Sequence, residues 1–269
     1  MPNSSGDLRS PSELVIGRPS ALRPDCRIQI FVVFHHTLFD ECYQHIPDDI
    51  LHKYFTFFAV NDQIVKTYTP NKYKVVNEWE LPIYDPLFQK RGYNENSAIY
   101  HVYANQLHQD YDYIGFFQYD TIFKDNLIEF LQNQLANTNV PMYFPMEIYN
   151  YQFCALQTWG EVNTLQFVIN DYEQFFTTKF STSEIYPLMN SFILPSNTYA
   201  KIMQWVVQLY DKLYPWCIEA PNGTGHGHLG GIYERIMAFA IGNEKLPYQH
   251  INVKHDHHYK RLCYESIQK

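Results

Sequence analysis

Two acids separated by one residue can hold a divalent cation against a diphosphate, and the sequence offers this arrangement once in full and once in part around one apolar run. Asp110-Tyr111-Asp112 is a literal D-x-D and precedes Tyr113-Ile114-Gly115-Phe116-Phe117, whereas Gln118-Tyr119-Asp120 follows that run with an amide in place of the first acid. Ligands of open α/β sheets collect beyond the carboxyl ends of the strands, so position favours the second motif. Magnesium and manganese take hard oxygen ligands and often only one or two carboxylates. Asp120 can therefore carry a Mn2+ or Mg2+ site by itself, and Asp110 and Asp112 read as a solvated loop at the wrong end of the strand.

Further groups lie downstream. Pro221 to Gly231 is a glycine-rich loop by composition, containing His226 and His228. Glycines let a backbone approach phosphates closely, and either histidine can serve as a second metal ligand or stabilise a departing diphosphate; His228 is favoured. Glu234, placed in the first turn of the next helix, can orient or deprotonate an attacking hydroxyl, with an ion pair to Arg235 as the alternative. His250, His255, Asp256, His257 and His258 form a polar tail whose spacing suggests solvated side chains more than a metal site.

The elements that position these groups follow from hydrophobic pattern. Ile28 to Phe34 and Tyr54 to Val60 are apolar at nearly every position, as in strands buried on both faces, and each runs into polar residues, His35-His36 and Asn61-Asp62. Between them, Leu38 to Leu51 is helix-compatible around Pro47, giving a β-α-β opening. Helical spacing covers Ser97 to Leu107, and Asp125 caps a helix bearing Leu127, Ile128, Leu131 and Leu135 on one face. Strands are expected at Met142 to Met146 and Ser191 to Leu194, a long helix capped by Ser196, and a last helix over Ile232 to Ile241.

The chain has 269 residues, 46% of them hydrophobic, enough for one sizeable α/β domain. Residues 1–26 read as a disordered leader, and 27–269 as the domain. No apolar run is long enough for a membrane span, and no signal-peptide core is present, which predicts a cytoplasmic protein. A net charge of -8 without a basic cluster argues against nucleic acid as the partner. Five widely spaced cysteines without a CxxC pair predict reduced thiols.

Tyr93 to Asn105, followed by Asp110 to Tyr119, resembles a family of small capsular-polysaccharide-type glycosyltransferases of bacteria and viruses, whose runs read Y-x-E-L-T-G-x-Y-W-x-W-K-N and D-x-D-Y-V-G-L-x-H-Y-R-R-Y. Tyr93, Glu95, Tyr100, Asn105, Asp112, Tyr113, Gly115 and Tyr119 match. His35 after the first strand is similar to the family's T-H-K, Asn190 to Ile193 to its N-M-F-I, and Gly231 to Ile236 to its G-F-L-A-E-R-L. One departure stands out: Gln118-Tyr119-Asp120-Thr121-Ile122 replaces H-Y-R-R-Y, exchanging two cations for an acid and a neutral residue. Arginines hold phosphate directly, whereas Asp120 repels it unless a metal intervenes.

The resemblance implies a GT-A-like, Rossmann-like single domain with a mostly parallel central sheet flanked by helices. It implies transfer of a sugar from a UDP- or GDP-sugar donor to a carbohydrate acceptor in surface-polysaccharide or glycoprotein-glycan synthesis, residues 27–125 forming the nucleotide half and 126–269 the acceptor half. The expected donor-binding residues are His35, His36, Glu95, Gln118, Tyr119, Asn190, Gly230 and Gly231, the expected catalytic residues Glu234 and Asp120, and the expected metal ligands Asp120 and His228. A glycan- or nucleotide-sugar-binding module without catalysis is the alternative.

Overall fold

The computed structural model describes residues 26–124, 127–129, 142–144, 147–148, 162–181, 186–187, 189–219 and 228–256. Its centre is β1 (Ile28–Phe34), buried at all seven positions. This strand pairs in parallel with β2 (Phe55–Ala59), which passes the ladder outward to β3 (Val75–Asn77). On its other side β1 pairs in parallel with β4 (Tyr113–Gln118). Beyond β4 lie β9 (Phe192–Pro195), β6 (Met142–Phe144) and β10 (Tyr248–His250), completing a seven-stranded sheet. Every pairing is parallel except the two made by β9.

Alternation along the strands divides the apolar side chains between two cores. Phe31, Val33, Ile114, Phe116, Phe192 and Leu194 face one layer of helices. That layer contains α4 (Glu95–Ala104), preceded by the single turn α3 (Leu87–Lys90), and α5 (Val162–Phe176), α6 (Ser196–Glu219) and α7 (His228–Asn243). Ile30, Val32, Phe34, Phe57, Phe117 and Ile193 face the opposite layer, where Cys42 and Tyr43 of α1 (Asp40–Tyr43) and Leu51 and Tyr54 of α2 (Asp48–Tyr54) pack. The tyrosines are largely structural. Tyr43, Tyr93, Tyr186, Tyr199 and Tyr233 are fully buried, and the Tyr199 hydroxyl donates to the Ile99 carbonyl at 2.5 Å.

Several boundaries differ from the sequence expectation. The helix expected around Pro47 is two helices, because proline has no N–H for a helix interior and fits instead just ahead of α2. Asp48 and Asp49 in the first turn of α2, and His52 and Lys53 in its last, complement the helix dipole. Ser196 opens α6, but among the described residues its buried hydroxyl makes no hydrogen bond and so does not act as a side-chain cap; its N–H is held by the Asp112 carbonyl at 2.9 Å. Asp125, Leu131 and Leu135 lie outside the described residues. Two small ladders were not expected: β5 (Thr121–Phe123) with β11 (Val253–His255), and β7 (Glu147–Ile148) with β8 (Tyr186–Pro187), both antiparallel. Among the described residues no helix is long and apolar enough to cross a membrane.

Gly115 is where β4 and β9 approach most demandingly. A Cβ built there would stand 2.9 Å from Ile193 Cγ1 and 3.3 Å from the Phe192 carbonyl oxygen. Gly115→Ala should therefore destabilise the protein by about 1–3 kcal/mol, read as a lowered urea midpoint with an unchanged slope. An unchanged midpoint would show that the β4–β9 contact has slack.

Candidate functional site

The parallel strands β1, β2 and β4 all end at one edge, and the Phe34 carbonyl that closes β1 accepts the Val60 N–H at 3.0 Å. The segment after β2 supplies a cation. Lys66 Nζ donates to the carbonyls of His35 and Val60, and to that of Asn61 at 2.6 Å. Thr67, beside it, bridges back to Thr37 through their hydroxyls at 2.8 Å and donates its N–H to the His36 carbonyl at 3.0 Å. His36 Nδ1 lies 2.6 Å from Thr37 Oγ1, and its pKa is held below the ordinary histidine value, first by burial and then by the Lys66 charge. His35 Nε2 meets Glu95 Oε1, at the start of α4, at 3.4 Å with both side chains half-buried.

Asn61 turns the chain away from β2 with a φ of 69°, a left-handed conformation that asparagine tolerates. Glu78, fully buried, fixes that turn by accepting the Asn61 N–H at 2.9 Å while its other oxygen accepts from Ser97 Oγ at 2.6 Å. His101 joins from α4. Its Nε2 accepts from the Asp85 N–H at 3.0 Å, which leaves the ring proton on Nδ1, 2.8 Å from the Ser97 carbonyl.

At the end of β4 the two acidic motifs separate as position demanded. Asp112 lies at the start of the strand, where Oδ2 accepts from the Arg27 N–H at 2.9 Å. Asp120 lies at the other end and is completely buried. Neither of its carboxylate oxygens accepts a hydrogen bond among the described residues, although Oδ1 is 3.0 Å from His255 Nε2. The same His255 nitrogen is 3.1 Å from Gln118 Oε1. The β5–β11 ladder makes this meeting possible: His255 is opposite Thr121, and the Asp256 N–H donates to the Asp120 carbonyl at 3.0 Å. Next to the buried carboxylate, the Cys42 thiol is pushed up to about 12, mainly by burial and then by the Asp120 charge, so it stays protonated and unreactive.

The structure thus brings together Asp120, Gln118 and a histidine that sequence reasoning left in a solvated tail. No group of three or more His, Cys, Asp or Glu converges among the described residues; this cluster has two such residues plus an amide oxygen. Its two separations from His255 Nε2, 3.0 Å to Asp120 and 3.1 Å to Gln118, are those of an ion pair and a hydrogen bond. His226 and the side chain of His228 lie outside the described residues.

The other expected residues are distributed unequally. Glu234 is in the second turn of α7, where Oε1 accepts the Met189 N–H at 2.8 Å and pairs with Arg235 Nη1. Asn190 is buried ahead of β9, and its Oδ1 has no hydrogen-bond partner among the described residues. Tyr119 is also buried; its ring packs against Phe39 and its carbonyl accepts from Tyr43 at 2.8 Å. Gly230 and Gly231 are helical, not part of a loop. Gly230 lets α7 rest on the turn before α4, where an added Cβ would be 2.8 Å from Asn94 Nδ2 and 3.2 Å from the Tyr93 carbonyl oxygen.

No protein-family model and no curated protein matches the chain. Among solved structures, the apo form of the bifunctional glycosyltransferase WbbM is similar over 84% of this chain, with a TM-score of 0.57 and 14% identity. The fold is GT-A-like. The match spans 45% of WbbM, so this chain corresponds to less than half of that protein. Looser overlaps occur with the mannosyltransferase Ktr4p from S. cerevisiae (TM-score 0.40, 11% identity, 89% of this chain and 72% of that one) and with mouse xyloside xylosyltransferase 1 (TM-score 0.35, 14% identity, 84% and 85%).

Lys66 ties the ends of β1 and β2 together and depresses the pKa of His36. Lys66→Met should lower stability by about 1.5–3 kcal/mol, the range for hydrogen bonds to a charged group, and should raise the His36 titration midpoint in an NMR pH series. A midpoint that stays in place would mean that burial alone sets it.

Proposed function

We propose that this protein is a glycosyltransferase that moves a sugar from a nucleotide-diphosphate donor, a UDP- or GDP-sugar, to a carbohydrate acceptor in polysaccharide or glycan synthesis. The observation that carries the reading is the convergence of Asp120, Gln118 and His255 at the carboxyl end of β4, where α/β sheets bind their ligands. Among the described residues the fully buried Asp120 carboxylate has His255 as its one ion-pair neighbour and accepts no hydrogen bond, which is costly for a purely structural element and economical for a ligand. The GT-A-like fold supports the same conclusion.

Mn2+ or Mg2+ would be held here by the Asp120 carboxylate, the Gln118 amide oxygen and His255 Nε2, which would give up the proton it shares with those two oxygens when the ion binds. Bound there, such an ion supplies positive charge against the diphosphate as the sugar–phosphate bond breaks. The chain's own residues do the rest. Burial of Asp120 among β5, β11 and α1 excludes water from one side of the cluster, which strengthens every charge interaction there. His35 and Glu95, one from the end of β1 and the other from the start of α4, orient the donor on the nucleotide side, about residues 27–125. Asn190 offers from the β9 side an Oδ1 that has no hydrogen-bond partner among the described residues.

Thermal-shift and transfer assays with a set of nucleotide sugars, each with and without Mn2+, test the reading. One donor should stabilise the protein only with the cation, and a chelator should abolish transfer. Asp120→Asn should reduce turnover by about a hundredfold or more, with the fold intact by circular dichroism. Transfer that persists in the chelator and in Asp120→Asn would overturn the cation reading. Donor-dependent stabilisation without any turnover would instead identify a nucleotide-sugar-binding module.

A further inference from the structure

Gln118 stands where a D-x-D motif has its first acid, and the exchange changes what the site requires. A carboxylate offers two equivalent oxygens, so either face can meet a cation. An amide offers one oxygen and one NH2, and the wrong rotamer would point two N–H donors at the ion. Something must therefore hold the amide in one orientation. The structure contains it: Gln118 Nε2 donates to the Met189 carbonyl at 3.3 Å, and because a carbonyl can only accept, Oε1 is turned the other way, toward His255.

Met189 is itself an unusual anchor. It and Asn190 have consecutive positive φ values, 63° and 47°; asparagine tolerates this conformation, whereas methionine adopts it at a cost that its surroundings must offset. Two groups grip the turn. Glu234 Oε1 accepts the Met189 N–H at 2.8 Å, and Ser191 Oγ donates to the Met189 carbonyl at 3.1 Å. Glu234 reaches this turn from α7, on a different element from Gln118.

We infer that Glu234 is a positioning residue, not a proton-transfer group: it holds the Met189–Asn190 turn, whose carbonyl fixes the Gln118 amide with its oxygen toward His255. The order is Glu234, Met189 N–H, Met189 carbonyl, Gln118 Nε2, Gln118 Oε1, His255 Nε2. This rests on the cation reading for its consequence but not for its geometry. It also explains why the Glu234 carboxylate, expected to face an acceptor hydroxyl, is already engaged by a backbone N–H and by Arg235.

The test uses the full chain, with Mn2+ alone as the probe, followed by calorimetric titration. Glu234→Ala should weaken Mn2+ binding by about 10- to 100-fold, as is usual when a group that orients a ligand is lost. Glu234→Gln retains an oxygen for the Met189 N–H and should keep the parent affinity. In parallel, the side-chain amide of Gln118 is followed by 15N–1H NMR without metal. Its hydrogen-bonded proton should be displaced from free-glutamine shifts in the parent and in Glu234→Gln, and should return toward them in Glu234→Ala. Parent-like Mn2+ affinity and Gln118 amide shifts in Glu234→Ala would overturn the inference. Should the parent bind no Mn2+, the cation reading falls, and the amide spectrum alone decides whether Glu234 positions Gln118.

Discussion

The reversed direction of β9 within an otherwise parallel sheet is the constraint on which the site is built. Parallel strands deliver only their carboxyl ends to the ligand edge. An antiparallel strand delivers its beginning there instead, so Met189, Asn190 and Ser191 arrive beside Gln118. That pairing requires close approach at Gly115, whose missing side chain makes room for Ile193. A single absent Cβ thereby sets the distance between the two halves of the site. The turn ahead of β9 then supplies polar groups that a seventh parallel strand would have carried at the far edge.

Electrostatically, this edge is organised around groups of opposite sign, a half-buried Lys66 and a fully buried Asp120. Lys66 gathers the carbonyl oxygens that end β1 and β2, doing with one ammonium what another strand's N–H groups would do in a longer ladder. Asp120 presents the complementary case, a negative charge enclosed by protein with an imidazole as its near neighbour. Glu78 shows how the same chain treats a carboxylate that is only structural: its oxygens are satisfied by Asn61, Ser97 and His101. The contrast between Glu78 and Asp120, both fully buried, separates framework from site more clearly than residue type does.

Much of the framework was legible in the sequence because it rests on apolar content. The three unbroken apolar runs became β1, β2 and β4, and the rule that ligands gather at carboxyl ends picked Asp120 over Asp110 and Asp112. Helix limits were less legible where local preference and tertiary contact conflict. Gly230 and Gly231 look like a loop because glycine is a poor helix former, yet α7 includes both, and at Gly230 the missing side chain leaves room for Tyr93 and Asn94. His255 was missed for a different reason. Its strand is three residues long and polar, and the only trace in the sequence is Val253 and His255 alternating with exposed Lys254. Pairing with β5, a contact far away in sequence, decides its position, and no local pattern encodes that.

That distance has a bearing on how the protein comes into being. Gln118 and His255 are 137 residues apart, and β11 is the last described element along the chain. During synthesis, β1, β2 and β4 are made well before β11, so the carboxylate of Asp120 at first lacks its imidazole neighbour. Growing chains therefore hold the Asp120 side of this contact open until β11 pairs with β5. A chain that stalls before Val253 would carry a well-started sheet without the Asp120–His255 pair.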